Sequence, residues 1–176
     1  MSEYHYCKIK DEHEIIKYEK LLYKGYITDK NNSLLEYLEV LEGNRMRLKL
    51  NKKDLVYYTI KKNEKIIAGM TAHINPSNEF ICEKFGFKID KDYNSCEGIT
   101  FFVVDEEKTN FYYELISGNT SFFKYVLNDI RNWNIKKVYG TTNEKHLKFH
   151  KMMFNWQIID KLLINNETRY LLLLNN

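Results

Sequence analysis

The run EGITFFVVDEE, residues 97–107, constrains the fold more than any other part of this sequence. Its apolar and β-branched residues follow one another with almost no polar alternation, the pattern of a strand covered on both faces. Such a strand belongs inside a sheet and needs other segments to cover it. After a loop come SFFKYVLNDIRNWN, with Phe122, Phe123, Val126, Leu127 and Ile130 at helical spacing, then the apolar strand KKVYGTT and the helix NEKHLKFHKMMF. Strand, helix, strand and helix in that order imply a right-handed crossover between parallel neighbours.

The remaining segments arrange themselves around this core. EYHYCKIK alternates as a strand, and DEHEIIKYEKLLYKGY reads as a helix opened by Asp11 and Glu14 in capping-box spacing, with Ile15, Ile16, Tyr18, Leu22 and Tyr26 on one face. Ser33 and Glu36 repeat the spacing, so SLLEYLEVLEGN is expected as a second helix stopped by Gly43. Strands over 54–61 and 65–74, joined by a turn at 62–64, predict an antiparallel meander. Residues 79–96 predict a short helix and a connection, and QIIDKLL and TRYLLLLN two closing strands. The expectation is one mixed α/β domain over residues 1–176. A chain of 176 residues can bury one substantial core but not two comfortable ones.

Composition narrows the function classes. Twenty-seven basic against 24 acidic side chains leave a net charge of +3, too small and dispersed to argue for nucleic acid. Only Arg45, Arg47, Arg131 and Arg169 offer planar forks for phosphate or base edges. Cys7, Cys82 and Cys96 lack CxxC spacing, so neither a disulfide framework nor a zinc site is expected. The polar start MSEYHYCKIK has no apolar signal region, and no run approaches the ~18 apolar residues of a membrane span. A reducing, cytoplasmic setting is the expectation.

The stretch KKVYGTTNEKHLKFHKMMFNWQII, together with the element order, resembles the GNAT superfamily of acyl-CoA-dependent N-acyltransferases. That family closes with a strand ending at an Asn, a helix bearing an aromatic-tyrosine pair, and a Gly-Phe step. Asn143 matches the Asn, Phe149 and His150 occupy the aromatic and tyrosine positions, and Asn155-Trp156 matches Gly-Phe after a one-residue insertion. The resemblance implies a splayed central sheet in a three-layer fold, with free backbone N–H groups near Phe102, Val103 and Val104 facing the donor's pantetheine arm and carbonyl. It also implies that Gly118, Asn119 and Thr120, in LISGNT, stand where the family wraps the coenzyme A phosphates at a helix N-terminus. Leu115 and Thr120 depart from the family's residues in that loop. The layout of Phe85 followed by Glu97-Gly98-Ile99-Thr100 is similar to the acyl-homoserine-lactone and N-acyl amino acid synthases, which share the fold and accept acyl groups from acyl-carrier protein. Their arginine is Thr100 here.

Acyl transfer from a thioester to an amine needs a proton acceptor for the nucleophile, an oxyanion stabiliser and a proton for the departing thiolate. Glu97, opening an apolar strand, is the candidate base, because desolvation raises a carboxyl pKa toward neutrality. The competing reading is a solvated carboxylate at a strand edge. His150 is the candidate acid: an imidazolium, with a reference pKa of about 6.5, can protonate a thiolate whose thiol has one of about 8.5. Against that stands an ordinary helix-surface histidine. His146 and His150 as a metal pair lack the Glu of H-E-x-x-H and a third ligand, so no metal is expected. Aromatics such as Tyr57, Tyr58, Phe85, Phe87, Phe101 and Phe102 are core by default and an acyl tunnel by exception; the cluster at 111–113 is harder to assign to the core.

Three readings follow. The first is an N-acyltransferase taking acetyl-CoA, a longer acyl-CoA or an acyl-carrier protein as donor and a small-molecule amine as acceptor. The second is an acyl-binding or regulatory domain of the same shape without turnover. The third is an interaction protein that pairs, as a homodimer for instance, through an edge strand such as TRYLLLLN.

Overall fold

The computed structural model describes residues 4–28, 32–107, 122–153 and 155–175. The chain divides into two compact units, residues 1–71 with 100–122 and residues 72–99 with 123–176.

In the first unit, β1 (Tyr4–Ile9) pairs antiparallel with β4 (Leu55–Lys62), from Tyr4 opposite Lys62 to Ile9 opposite Tyr57. Between them α1 (Glu12–Tyr26) starts where the Asp11 carboxylate accepts the Glu14 N–H at 3.1 Å. Its buried face is Ile15, Tyr18, Glu19 and Leu22. Glu19 is a charged residue on that apolar face, and Arg45 holds one of its oxygens at 2.6–2.8 Å. Tyr18 is fully buried, its ring edge-on to Tyr57 and Phe102 with centroids 5.2 and 5.0 Å away. Its hydroxyl lies 2.8 Å from that of Thr71 and 3.3 Å from that of Thr100.

The second helix expected from Ser33 does not form. Residues 33–37 make a single 3-10 turn, capped by the Asn32 side chain, and the chain then enters the hairpin β2 (Leu38–Leu41) and β3 (Arg45–Leu48). Gly43 and Asn44 both take positive φ, 75° and 55°, so the glycine that looked like a helix stop reverses a strand instead. The RMRL segment alternates strictly, burying Met46 and Leu48, and Arg47 pairs across the hairpin with Glu39. The expected meander is present as β4 and β5 (Lys65–His73), turning at Asn63 and Glu64, again with positive φ.

In the second unit, α2 (Ile81–Lys84) precedes β6 (Ser95–Val103), which belongs to this unit as far as Ile99 and to the first from Thr100 on, and α3 (Phe122–Asn132), in this unit from Phe123, leads to β7 (Lys137–Asn143). Phe122, Phe123, Val126 and Ile130 are buried. Asn134, at φ 59°, ends α3 in a left-handed cap whose amides return to Arg131 and Ile130. β6 and β7 are parallel, as the crossover requires. α4 (Glu144–Met153) follows β7, then β8 (Gln157–Ile164) and β9 (Glu167–Asn175) close on a two-residue turn at Asn165 and Asn166, both with positive φ.

The resulting seven-stranded mixed sheet has the order β1-β4-β5-β6-β7-β9-β8. TRYLLLLN is therefore not an edge: β9 lies between β7 and β8 and pairs antiparallel with both. The edge on that side is β8, which carries a register shift between Ile158 and Asp160. Among the described residues no helix is long and apolar enough to cross a membrane.

Candidate active site

The parallel ladder between β6 and β7 is short. It runs from Ser95 opposite Lys137 to Gly98 opposite Gly140, although β6 continues to Val103 and β7 to Asn143. Its last rung is a pair of glycines. A Cβ on Gly140 would stand 3.4 Å from the Gly98 carbonyl oxygen and 3.6 Å from the Trp156 ring, so the backbones approach as closely as they do because Gly140 is bare. Beyond that rung the partners of Thr141, Thr142 and Asn143 are Leu171, Tyr170 and Arg169 of β9.

Backbone polarity along the end of β6 follows from strand alternation. The Val104 N–H donates to the Ile67 carbonyl at 2.8 Å, toward β5. Of the three donors expected at residues 102–104, Val104's is thus engaged inside the sheet. Phe102 shares its edge by alternation, whereas Phe101 and Val103 turn their N–H and C=O groups to the opposite edge. There the Tyr26 hydroxyl, at the end of α1, lies 3.4 Å from both the nitrogen and the oxygen of Phe101. The side chains of Phe102 and Val103 are buried and that of Val104 half-buried.

Glu97 sits opposite Tyr139 in the ladder and is 1% exposed, so it is no solvated strand-edge residue. Its two oxygens accept the N–H groups of Ile81 and Cys82, each at 2.7 Å, at the first turn of α2. Burial pushes its carboxyl up to about 7, against the two backbone donors that favour the charged form. Cys82 is shifted the same way, its thiol raised by burial and then by the adjacent Glu97.

Asn143 ends β7 and opens α4. Its Oδ1 accepts the His146 N–H at 3.2 Å and its Nδ2 donates to Glu167 at 2.7 Å, so both ends of the amide hold the strand-to-helix corner. Phe149 and His150 are half-buried on α4, rings edge-on with centroids 5.7 Å apart. Burial, then His146 one turn away, brings His150 down to about 4. The imidazole is therefore neutral at pH 7, and the imidazolium acid expected from sequence is not the form present there. Gly118, Asn119 and Thr120, with the aromatic cluster at 111–113, lie outside the described residues. Tyr57, Tyr58, Phe85, Phe87, Phe102, Phe122 and Phe123 are buried core, and Phe101 is half-buried.

Sequence reasoning missed two residues here. Thr100 belongs to a neutral buried hydrogen-bond set with Tyr18 and Thr71. Tyr26 reads in sequence as one more aromatic on a helix face, with nothing to indicate that its hydroxyl reaches the β6 backbone. Among the described residues no group of three or more His, Cys, Asp or Glu is arranged to hold a metal ion.

No protein-family model matches the chain, and no curated protein matches it. Solved structures do. BjaI, a CoA-dependent acyl-homoserine lactone synthase, superposes with a TM-score of 0.76 at 14% identity, covering 98% of this chain and 83% of its own. FeeM, an N-acyl amino acid synthase from uncultured soil microbes, gives 0.67 at 10% identity, with 99% and 92% covered. A GNAT-family protein from Desulfovibrio desulfuricans gives 0.62 at 7%, with 98% and 99% covered. The chain has the fold of GNAT-type acyltransferases, a mixed seven-stranded sheet flanked by helices.

Proposed function

We propose that this chain moves an acyl group from the thioester of acetyl-CoA, a longer acyl-CoA or an acyl-carrier protein directly onto a small-molecule amine. The observation that carries the reading is the four-rung ladder of β6 and β7, beyond which Phe101 and Val103 turn their backbone groups away from β5. Backbone donors on a strand edge beyond the end of the β6–β7 ladder suit the amide arm and carbonyl of a thioester donor. The amine nitrogen attacks the carbonyl carbon, the N–C bond forms and the C–S bond breaks. Glu97 takes the ammonium proton, and the second proton that the nitrogen sheds as the amide forms goes to the departing thiolate. A carboxyl poised near 7 is matched to base catalysis at neutral pH. His150, being neutral, serves this scheme as a hydrogen-bonding group beside Phe149 rather than as a cationic acid. The phosphate end of coenzyme A is assigned, by resemblance alone, to Gly118, Asn119 and Thr120.

Isothermal titration with acetyl-CoA and with a long-chain acyl-CoA tests the donor, and thiol release with mixed amines then tests turnover. Binding of at least one donor and amine-dependent thiol release are expected. If neither acyl-CoA nor an acylated carrier protein binds, the proposal is wrong. A second reading, binding without turnover, is favoured by one observation: both Glu97 oxygens already hold backbone amides of α2. Donor binding without amine-dependent thiol release would select it.

A further inference from the structure

The acyl-transfer reading needs a ligand to pair with the β6 edge that faces away from β5, and at Phe101 that edge is already occupied. The Tyr26 hydroxyl is within 3.4 Å of the Phe101 nitrogen and of its carbonyl oxygen. A phenol both accepts and donates, so one hydroxyl serves both groups. The end of α1 lies close to β6 here: a Cβ on Gly25 would be 3.4 Å from that of Phe102, an ordinary contact distance. Both contacts exceed the usual O–H···O and N–H···O range, which makes them weak and easily exchanged for better-aligned ones.

We propose that Tyr26 is a displaceable stand-in for the donor's amide arm, and so sets which donors the edge accepts. This rests on the acyl-transfer reading and deepens it. A ligand that removes the hydroxyl must return an acceptor to the Phe101 N–H and a donor to the Phe101 carbonyl. The N–H and C=O of one trans amide point opposite ways, so both are returned only by two successive amides, as in a pantetheine arm, one giving its C=O and the other its N–H; a thioester group or an alkyl chain has no donor to offer the carbonyl. Tyr26 therefore discriminates against simple thioesters and in favour of amide-bearing ones, at the cost of some affinity for every donor.

The test compares the wild-type chain with Tyr26→Phe, which keeps the ring and removes only the hydroxyl. Coenzyme A is titrated into each, alongside 3′-phosphoadenosine 5′-diphosphate, which has the phosphates but no amide arm. Tyr26→Phe is expected to bind coenzyme A about three- to tenfold more tightly, and the armless nucleotide equally. Amide hydrogen exchange at Phe101 should be faster in free Tyr26→Phe than in the free wild type, and should slow in both on adding coenzyme A. Unchanged or weakened coenzyme A binding in Tyr26→Phe would overturn the inference, making the tyrosine a bystander or a direct ligand contact. If coenzyme A and a pantetheine-bearing carrier protein bind neither chain, the acyl-transfer reading itself falls, and this inference with it.

Discussion

The carboxylate of Glu97 accepts the backbone N–H of Cys82 at 2.7 Å while buried to 1% exposure. Two opposing effects meet there: burial raises the pKa, and amide donors from Ile81 and Cys82 lower it, with burial prevailing at about 7. Because the folded pKa exceeds the unfolded one, the native state keeps a proton that the unfolded chain has released between about pH 4.5 and 7. Stability from this group therefore falls as pH rises through that window and is level above it. Glu97→Gln should remove the dependence, so its stability relative to wild type improves by about 3 kcal/mol between pH 4.5 and 8. Urea unfolding of both proteins at the two pH values measures this, and a pH-independent difference would refute the buried, raised carboxyl.

His150 works in the opposite sense. Its folded pKa, about 4, lies below the ordinary histidine value, so between about pH 4 and 6.5 the unfolded chain binds the extra proton. Stability is complete above the unfolded value and declines as the solution is acidified through that window. His150→Phe should therefore gain stability relative to wild type at pH 5 compared with pH 8. The comparison is again by denaturant titration, and the idea is lost if the gain appears equally at pH 8.

The two carboxyl and imidazole shifts also separate their roles in turnover. If Glu97 is the base, kcat/KM rises with pH through a limb near 7, and His150→Phe retains that limb while lowering the plateau. A limb that vanishes in His150→Phe would assign the titration to the histidine instead. The measurement is thiol release across pH 5.5 to 9 with an amine acceptor in fixed concentration of its ammonium form.

The extent to which the fold could be read in advance follows from which forces are local. The apolar run of β6 and the helix after it impose a parallel crossover whatever surrounds them, and β6 and β7 are parallel. LLEYLEVLEG was ambiguous, because leucines spaced for a helix also fit a 3-10 turn followed by a short strand. What decided it was positive φ at both Gly43 and Asn44, a choice that Asn permits but does not announce. At the site, an apolar neighbourhood made Glu97 a candidate for a buried carboxyl but left a solvated strand-edge residue as the rival, and the structure buries it. Its partners Ile81 and Cys82 lie 16 and 15 residues away, and Tyr26 meets Phe101 across 75 residues. Contacts at that separation depend on packing that no local pattern encodes. The neutrality of His150 is of the same kind, since burial sets it.

Gly69 and Gly25 make opposite predictions about the same aromatic core. A Cβ on Gly69 would lie 2.4 Å from the Tyr18 ring and 2.9 Å from the Phe102 ring. The Tyr18 ring cannot swing aside cheaply, because its hydroxyl is tied to Thr71 and Thr100 and it packs in T-shaped pairs with Tyr57 and Phe102. Gly69→Ala should cost about 1–3 kcal/mol as an overpacked core substitution. A Cβ on Gly25 meets only the Phe102 Cβ at 3.4 Å, and the residue lies within α1, where alanine is favoured over glycine by about 1 kcal/mol. Gly25→Ala should therefore be neutral or stabilising. Thermal unfolding of the two variants side by side decides the matter: a Gly69→Ala protein as stable as wild type would mean that Tyr18 does not fill the space above β5, and that the Tyr18–Thr71–Thr100 hydrogen-bond set is not what fixes its ring.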